Sequence, residues 1–225
     1  MAFRGIMGPM PEISIRLATS ADIRRREEIR LQHPYPGHIA LMGSVDLAKQ
    51  YGSGRTRLDR IPNRSRVTVV AEVSGRVEGV PQYTYGADVT GNRLDHLRLL
   101  LSMLGPINFV RRLPFLRARS RVNIPVPTDA FRIFNLQVDV AYRRQGIATR
   151  LLDWAEAEAE AARLGAHRMA LPADLTNPAI KLYERQGYVT TRTATDRQYE
   201  RYSHDAGRVL MEKDLTRADR SASES

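Results

Sequence analysis

The sequence predicts a single α/β domain built on a mixed sheet, with residues 1–11 and 216–225 as flexible tails. Three observations lead to this. Short β-rich runs and helical runs follow one another in the order βα(α)ββ, insertion, βαβαββ. Residues 147–164, rich in Ala, Leu and Glu, form the clearest amphipathic helix, with Gly165 where a C′ glycine belongs. A basic, glycine-bearing turn joins that helix to the strand before it. A chain of 225 residues is long enough to bury a core of its own.

Taken in order, Ile13–Leu17 alternates apolar and polar residues, as a half-buried strand does. Thr19, Ser20 and Asp22 supply N-cap chemistry for a charged helix over 23–31, which the run His33-Pro34-Tyr35-Pro36-Gly37 stops. A short helix is expected over 45–51 and a loop over 52–66. Residues 67–73 and 77–85 read as strands joined by a tight Ser74-Gly75 hairpin. Residues 86–129 break that rhythm and read as an insertion, holding a helix over 94–104 that Gly105-Pro106 ends. The leucines of that helix require packing on the domain or on a second subunit, so it is expected to cover one side of a cleft or to make a homodimer contact. Strands follow over 131–140 and 168–171, then a helix over 179–186 stopped by Gly187, then closing strands over 188–195 and 207–215.

The chemistry concentrates around residues 136–149. Here a strand ends, Arg143, Arg144, Gln145 and Gly146 form a turn, and Ile147 and Ala148 open the long helix. Such a turn aims several backbone N–H groups at one place, and the helix dipole adds positive potential, which together suit a phosphate. The spacing is neither that of a P-loop nor that of a dinucleotide fingerprint.

Farther along, Asn177 precedes Leu182-Tyr183-Glu184-Arg185-Gln186-Gly187-Tyr188. Together the two segments resemble the GNAT superfamily of N-acetyltransferases. Arg143-x-x-Gly146-x-Ala148 matches that family's pyrophosphate loop, and the second segment matches its Asn…Leu-Tyr-Glu-Lys-x-Gly-Phe pattern. The close resemblance covers residues 131–188.

The resemblance implies a GNAT-like fold: a largely antiparallel sheet flanked by helices, with a splayed parallel strand pair at the cofactor site. It implies acetyl-CoA as acetyl donor and direct transfer to an amine-bearing acceptor, small molecule or peptide. A bulge at Leu136, Gln137 and Val138 would offer backbone donors to the pantetheine and the thioester oxygen. Arg143, Arg144, Gln145, Gly146, Ile147, Ala148 and Thr149 would hold the pyrophosphate. Tyr183 would be the general acid, being protonated at neutral pH. Asn177 would contact the cofactor, cap a helix, or do both. The strand offers no glutamate as general base. Asp174 or a water chain could serve.

Composition narrows the remaining classes. Cysteine is absent, which excludes disulfides, cysteine-bound metal and an acyl-cysteine intermediate. The five histidines have no metal-ligand spacing, so no metal site is expected. Residues 1–11 lack the apolar core of a secretory signal, and no uninterrupted run of about 18 apolar residues occurs. A cytoplasmic protein without membrane attachment is the expectation. Net charge is +10, carried almost wholly by arginine, with Lys49, Lys181 and Lys213 the only lysines. Nucleic acid is not the expected partner, because no aromatic-rich RNA-binding motif accompanies the arginines. An acyl-CoA-binding module that senses without transferring remains the alternative to an enzyme.

Overall fold

The computed structural model describes residues 12–58, 66–85, 93–161 and 167–215. The two tails, the Gly165 cap and residues 59–65 and 86–92 lie outside the described residues. The described chain forms one seven-stranded sheet in the order β1-β2-β3-β4-β5-β7-β6. The strands are β1 (Ile13–Leu17), β2 (Arg66–Val73), β3 (Arg76–Tyr85), β4 (Ala130–Val138), β5 (Arg168–Asp174), β6 (Val189–Thr195) and β7 (Gly207–Asp214). Every neighbouring pair is antiparallel except β4 and β5.

The strand alternation sorts the sheet into two faces. Val69, Ala71, Tyr83, Phe131, Ile133, Met169, Leu171 and Ala173 point to one face and form the larger core. Helix α5 (Ile147–Ala161) fills that face with Ile147, Leu151, Leu152, Ala155 and Ala159, and α6 (Ile180–Arg185) adds Tyr183. The opposite face carries α1 (Ile23–Gln32), α2 (Pro36–Met42), α3 (Val45–Leu58), α4 (Arg93–Arg121) and α7 (Arg197–Ser203). The second core there joins Leu41, Met42, Tyr51, Leu100, Leu104, Phe115, Val122 and Tyr199.

Four helical segments differ from the sequence expectation. Pro36 does not simply end a helix. It occupies the start of α2, where its missing N–H costs nothing and its fixed φ suits the first turn. Helix α3 runs on through Gly52 and Gly54 to Leu58, because packing against α2 and α4 outweighs the poor helix propensity of glycine. Gly105, at φ 68° and ψ 166°, breaks α4 but does not end it, and Pro106 opens a second helical stretch to Arg121. Helix α7, between the closing strands, was not expected at all. Its cap was visible in retrospect, since Asp196 accepts from the Tyr199 N–H at 2.8 Å.

Residues Leu94–Arg121 are long and apolar enough to cross a membrane by length and composition alone, which the broken apolar run did not suggest. Here the segment is kinked and packs against α2, α3 and α7.

Gly79 on β3 fixes how closely α5 approaches the sheet. A Cβ there would stand 2.7 Å from Ile147 Cγ2 and 3.0 Å from Leu151 Cδ1, on a rigid helix. Gly79→Val should therefore destabilise the protein by about 1–3 kcal/mol, measured by urea unfolding. A variant as stable as the parent would show that α5 can retreat from the sheet freely.

Candidate functional site

Strands β4 and β5 are paired only at Ala130↔Arg168, Phe131↔Met169 and Arg132↔Ala170. Both continue past that point, β4 to Val138 and β5 to Asp174. Groups of β4 that face β5 beyond Arg132 therefore have no ladder partner on that side. The parallel pair is splayed, as the resemblance implies.

A bulge lies in the unpaired stretch, slightly upstream of the expected residues. The β3–β4 register shifts between Val80↔Gln137 and Gln82↔Phe134, so Asn135 and Leu136 together oppose Pro81. Gln137 and Val138 themselves stay in register with Val80 and Gly79. Pro81 has no N–H to give, and a proline inside a sheet is tolerated at such an irregularity. Asn135 takes a left-handed φ of 56°, which asparagine accepts more readily than most residues, and its amide donates to Gln82 Oε1 at 2.9 Å.

After β4 the chain makes one 3-10 turn, Val140–Tyr142, and then the basic turn. Arg144 (φ 62°) and Gly146 (φ 80°) both lie in the left-handed region. Successive residues of this kind turn their N–H groups toward a common concavity. Among the described residues, the backbone N–H groups of residues 144–149 meet no acceptor in the chain, and the first helical bond is Arg150 N–H to Gly146 O at 3.0 Å. The space where a Gly146 Cβ would stand is open. Arg143 donates from Nε to Val138 O at 3.2 Å, and Gln145 from Nε2 to Ala141 O at 3.4 Å. Both side chains thus tie the turn to the residues before it.

A largely buried polar cluster holds this turn from the sheet's other face. Asp139 accepts from Arg25 Nη2 at 2.7 Å, Gln32 Nε2 at 2.6 Å and the Ala141 N–H at 2.9 Å. Gln32 Oε1 accepts the Val140 N–H at 3.1 Å. Arg25 also pairs with Glu78, which is wholly buried. Burial alone would raise the Asp139 pKa, but these donors outweigh it and hold the carboxyl below its usual range. No spacing in the sequence could reveal this cluster, because α1 and the turn lie far apart in the chain.

Tyr183 is 6 % exposed, with its ring in the main core and edge-on to Tyr188 at 6.2 Å. Among the described residues its hydroxyl has no hydrogen-bond partner, and it is not an enclosed orphan. Burial pushes its pKa up to about 12, so it is protonated at neutral pH. Asn177 accepts the Ala179 N–H at 2.9 Å through Oδ1 and so helps start α6. Among the described residues no group of side chains could hold a metal ion.

The comparisons with known proteins agree with this geometry. Residues 116–190 match the family model described as an acetyltransferase (GNAT) domain. Among curated proteins no sequence matches. Among solved structures, a PaiA N-acetyltransferase from Thermoplasma acidophilum in complex with coenzyme A is similar with a TM-score of 0.55 at 14% identity, covering 90% of this chain and 99% of that one. The ribosomal-protein-S18-alanine N-acetyltransferase from Escherichia coli is similar at 0.52 and 16% identity, covering 91% and 94%. An N-acetyltransferase from Staphylococcus aureus Mu50 is similar at 0.50 and 17% identity, covering 91% and 99%.

Because a depressed carboxyl stabilises the fold above its unfolded pKa and loses that effect as pH falls, Asp139→Asn should be less stable than the parent at pH 7. The difference should shrink as pH falls below about 4, the ordinary range of an unfolded aspartate, by denaturant unfolding at each pH. A difference independent of pH would place the contribution of Asp139 outside its charge. Residues 116–190 thus carry the match to an acetyltransferase (GNAT) domain, and the fold is the one seen in N-acetyltransferases of known structure.

Proposed function

We propose that this domain moves an acetyl group from acetyl-CoA directly to the nitrogen of an amine. The observation that carries the reading is the row of unpartnered N–H groups at residues 144–149, at the N-terminus of α5 and next to the opening between β4 and β5. Those groups, with the open space before Gly146, fit a pyrophosphate. When bound, acetyl-CoA supplies an acetyl thioester, whose carbonyl accepts an amine without a covalent enzyme intermediate.

The chain's own residues orient and polarise. Residues 143–149 fix the anionic end of the donor. Those backbone N–H groups of the Leu136–Val138 stretch that face the opening would support negative charge on a carbonyl oxygen there. Tyr183, on the α5 face, holds a proton on its hydroxyl for the departing sulfur. Asn177 accepts the Ala179 N–H just ahead of α6 and thereby orders the approach to the helix that carries Tyr183.

Two outcomes check this reading. Acetyl-CoA should raise the melting temperature, because it binds the native state alone, and Gly146→Asp should abolish the rise by setting a side chain and a negative charge in the turn. A mutant that binds as tightly as the parent would remove the turn from the donor site. Tyr183→Phe should lower kcat by about 10²–10⁴-fold while leaving acetyl-CoA affinity unchanged. An unchanged kcat, with chemistry limiting the rate, would return Tyr183 to a packing role and favour the sensing alternative if no thiol is released with any amine.

A further inference from the structure

The face of the sheet opposite α5 and α6 holds a second cluster of polar groups, at the far end of β5. Asp174 is four residues beyond Ala170, the last residue of β5 paired with β4. Leu136, at the bulge, is four residues beyond Arg132, the last residue of β4 paired with β5. The two positions thus stand at the same height on either arm of the opening. Alternation along β5 sends Met169, Leu171 and Ala173 into the core under α5, and Ala170 to the other face. Asp174 shares the face of Ala170, and Tyr183 lies on the opposite one.

Asp174 is 8 % exposed. Its Oδ1 accepts from Tyr35 Oη at 2.9 Å and from Arg208 Nε at 3.1 Å. Among the described residues its Oδ2 has no hydrogen-bond partner, and it is not an enclosed orphan. The guanidinium groups of Arg119 and Arg208 lie 5.8 and 5.9 Å from the centre of the Tyr35 ring. Arg208 is paired to Asp174, whereas among the described residues Arg119 meets no acidic partner. The groups facing Asp174 are Tyr35 before α2, Arg119 of α4, Tyr199 of α7, Asp205 and Arg208. Asp205 is already committed, accepting from the Thr176 N–H and hydroxyl at 3.2 and 2.5 Å.

We propose that this cluster is the acceptor site and that it takes a zwitterionic amine, with the ammonium on Asp174 Oδ2 and a carboxylate or phosphate on Arg119. The proposal rests on the acetyl-transfer reading and adds the acceptor class to it. A direct transfer needs an acid on the side where sulfur leaves and a base on the side where nitrogen arrives, and the alternation of β5 puts Tyr183 and Asp174 on those two sides. The balance is complete. The ammonium gives one proton to Asp174, and the free amine then forms the C–N bond as the C–S bond breaks. Sulfur leaves with the Tyr183 proton, and the second nitrogen proton passes to solvent through Asp174 and water. Tyr183 is reprotonated from water, so the net products are the amide, the thiol and one proton. Burial raises the Asp174 pKa, which suits it to accept a proton reversibly, while Arg208 and Tyr35 limit the rise. A polycationic acceptor would meet Arg119 and Arg208 against one available carboxylate.

The test uses the full chain with glycine, O-phosphoethanolamine, ethylamine and spermidine as acceptors, read by thiol release and by calorimetric binding of each amine without acetyl-CoA. The zwitterions should bind and react at least tenfold better than ethylamine, and spermidine should be poorest. Arg119→Glu should reverse the order of O-phosphoethanolamine and spermidine while leaving acetyl-CoA binding unchanged. Asp174→Asn should abolish amine binding and the acid limb of the kcat profile, again with acetyl-CoA affinity unchanged. Tyr35→Phe removes a donor that lowers the Asp174 pKa, so that limb should move to higher pH. A preference for spermidine in the parent, or an order of acceptors unmoved by Arg119→Glu, overturns the proposal. Loss of acetyl-CoA binding by the parent would count against the acetyl-transfer reading instead, and the amine-binding arm would still decide this one.

Discussion

The parting of β4 from β5 beyond Arg132 and Ala170 is the constraint on which the rest of the molecule depends. A sheet interior normally satisfies every backbone donor, so an opening between central strands is costly unless a ligand or water takes the ladder's place. Here the opening sits between two helical layers, and its edges carry different chemistry. On the α5 side are the basic turn and Tyr183. On the other side are Asp174, Tyr35 and Arg208. In the proposed reaction one topological feature thus separates donor from acceptor before any side chain acts.

Keeping that opening in shape falls to two devices. Pro81 and the Asn135–Leu136 bulge disturb the β3–β4 ladder at the height of the opening, and the Asn135 amide ties the bulge back to Gln82. The Arg25–Glu78–Asp139–Gln32 cluster then fixes the chain as it leaves β4. Buried ion pairs of this kind add little net stability over apolar packing, because desolvation offsets much of their attraction. Their value here is positional. Asp139 and Gln32 hold the backbone of residues 140 and 141, and the turn with its outward N–H groups begins there.

The α5 side of the opening is legible in the sequence, and the opposite side is obscure in it. Residues 136–149 and 177–188 are local: strand, turn and helix follow in chain order, and glycine at 146 reports a left-handed φ directly. The bulge was foreseen in kind but placed over Leu136, Gln137 and Val138, whereas the register change starts at Asn135, opposite a proline on another strand. The opposite face is built from non-local contacts. Tyr35 sits in a proline-rich run that reads as a helix stop, Arg119 in a stretch beyond Gly105-Pro106 that reads as the end of a helix, and Tyr199 in a helix between strands. In each case tertiary packing in the second core overrode the local signal. Only Asp174 was visible from its position after a strand, without the partners that give it a role.

The central claim is that the N–H groups of residues 144–149 are the donor's anchor. Amide hydrogen exchange with and without coenzyme A measures this at those atoms. Lacking internal acceptors, they should exchange fast in the free protein and slow markedly on binding, together with amides of β4 beyond Arg132. Binding of coenzyme A with exchange at residues 144–149 unchanged, or with protection confined to another part of the sheet, would contradict the account.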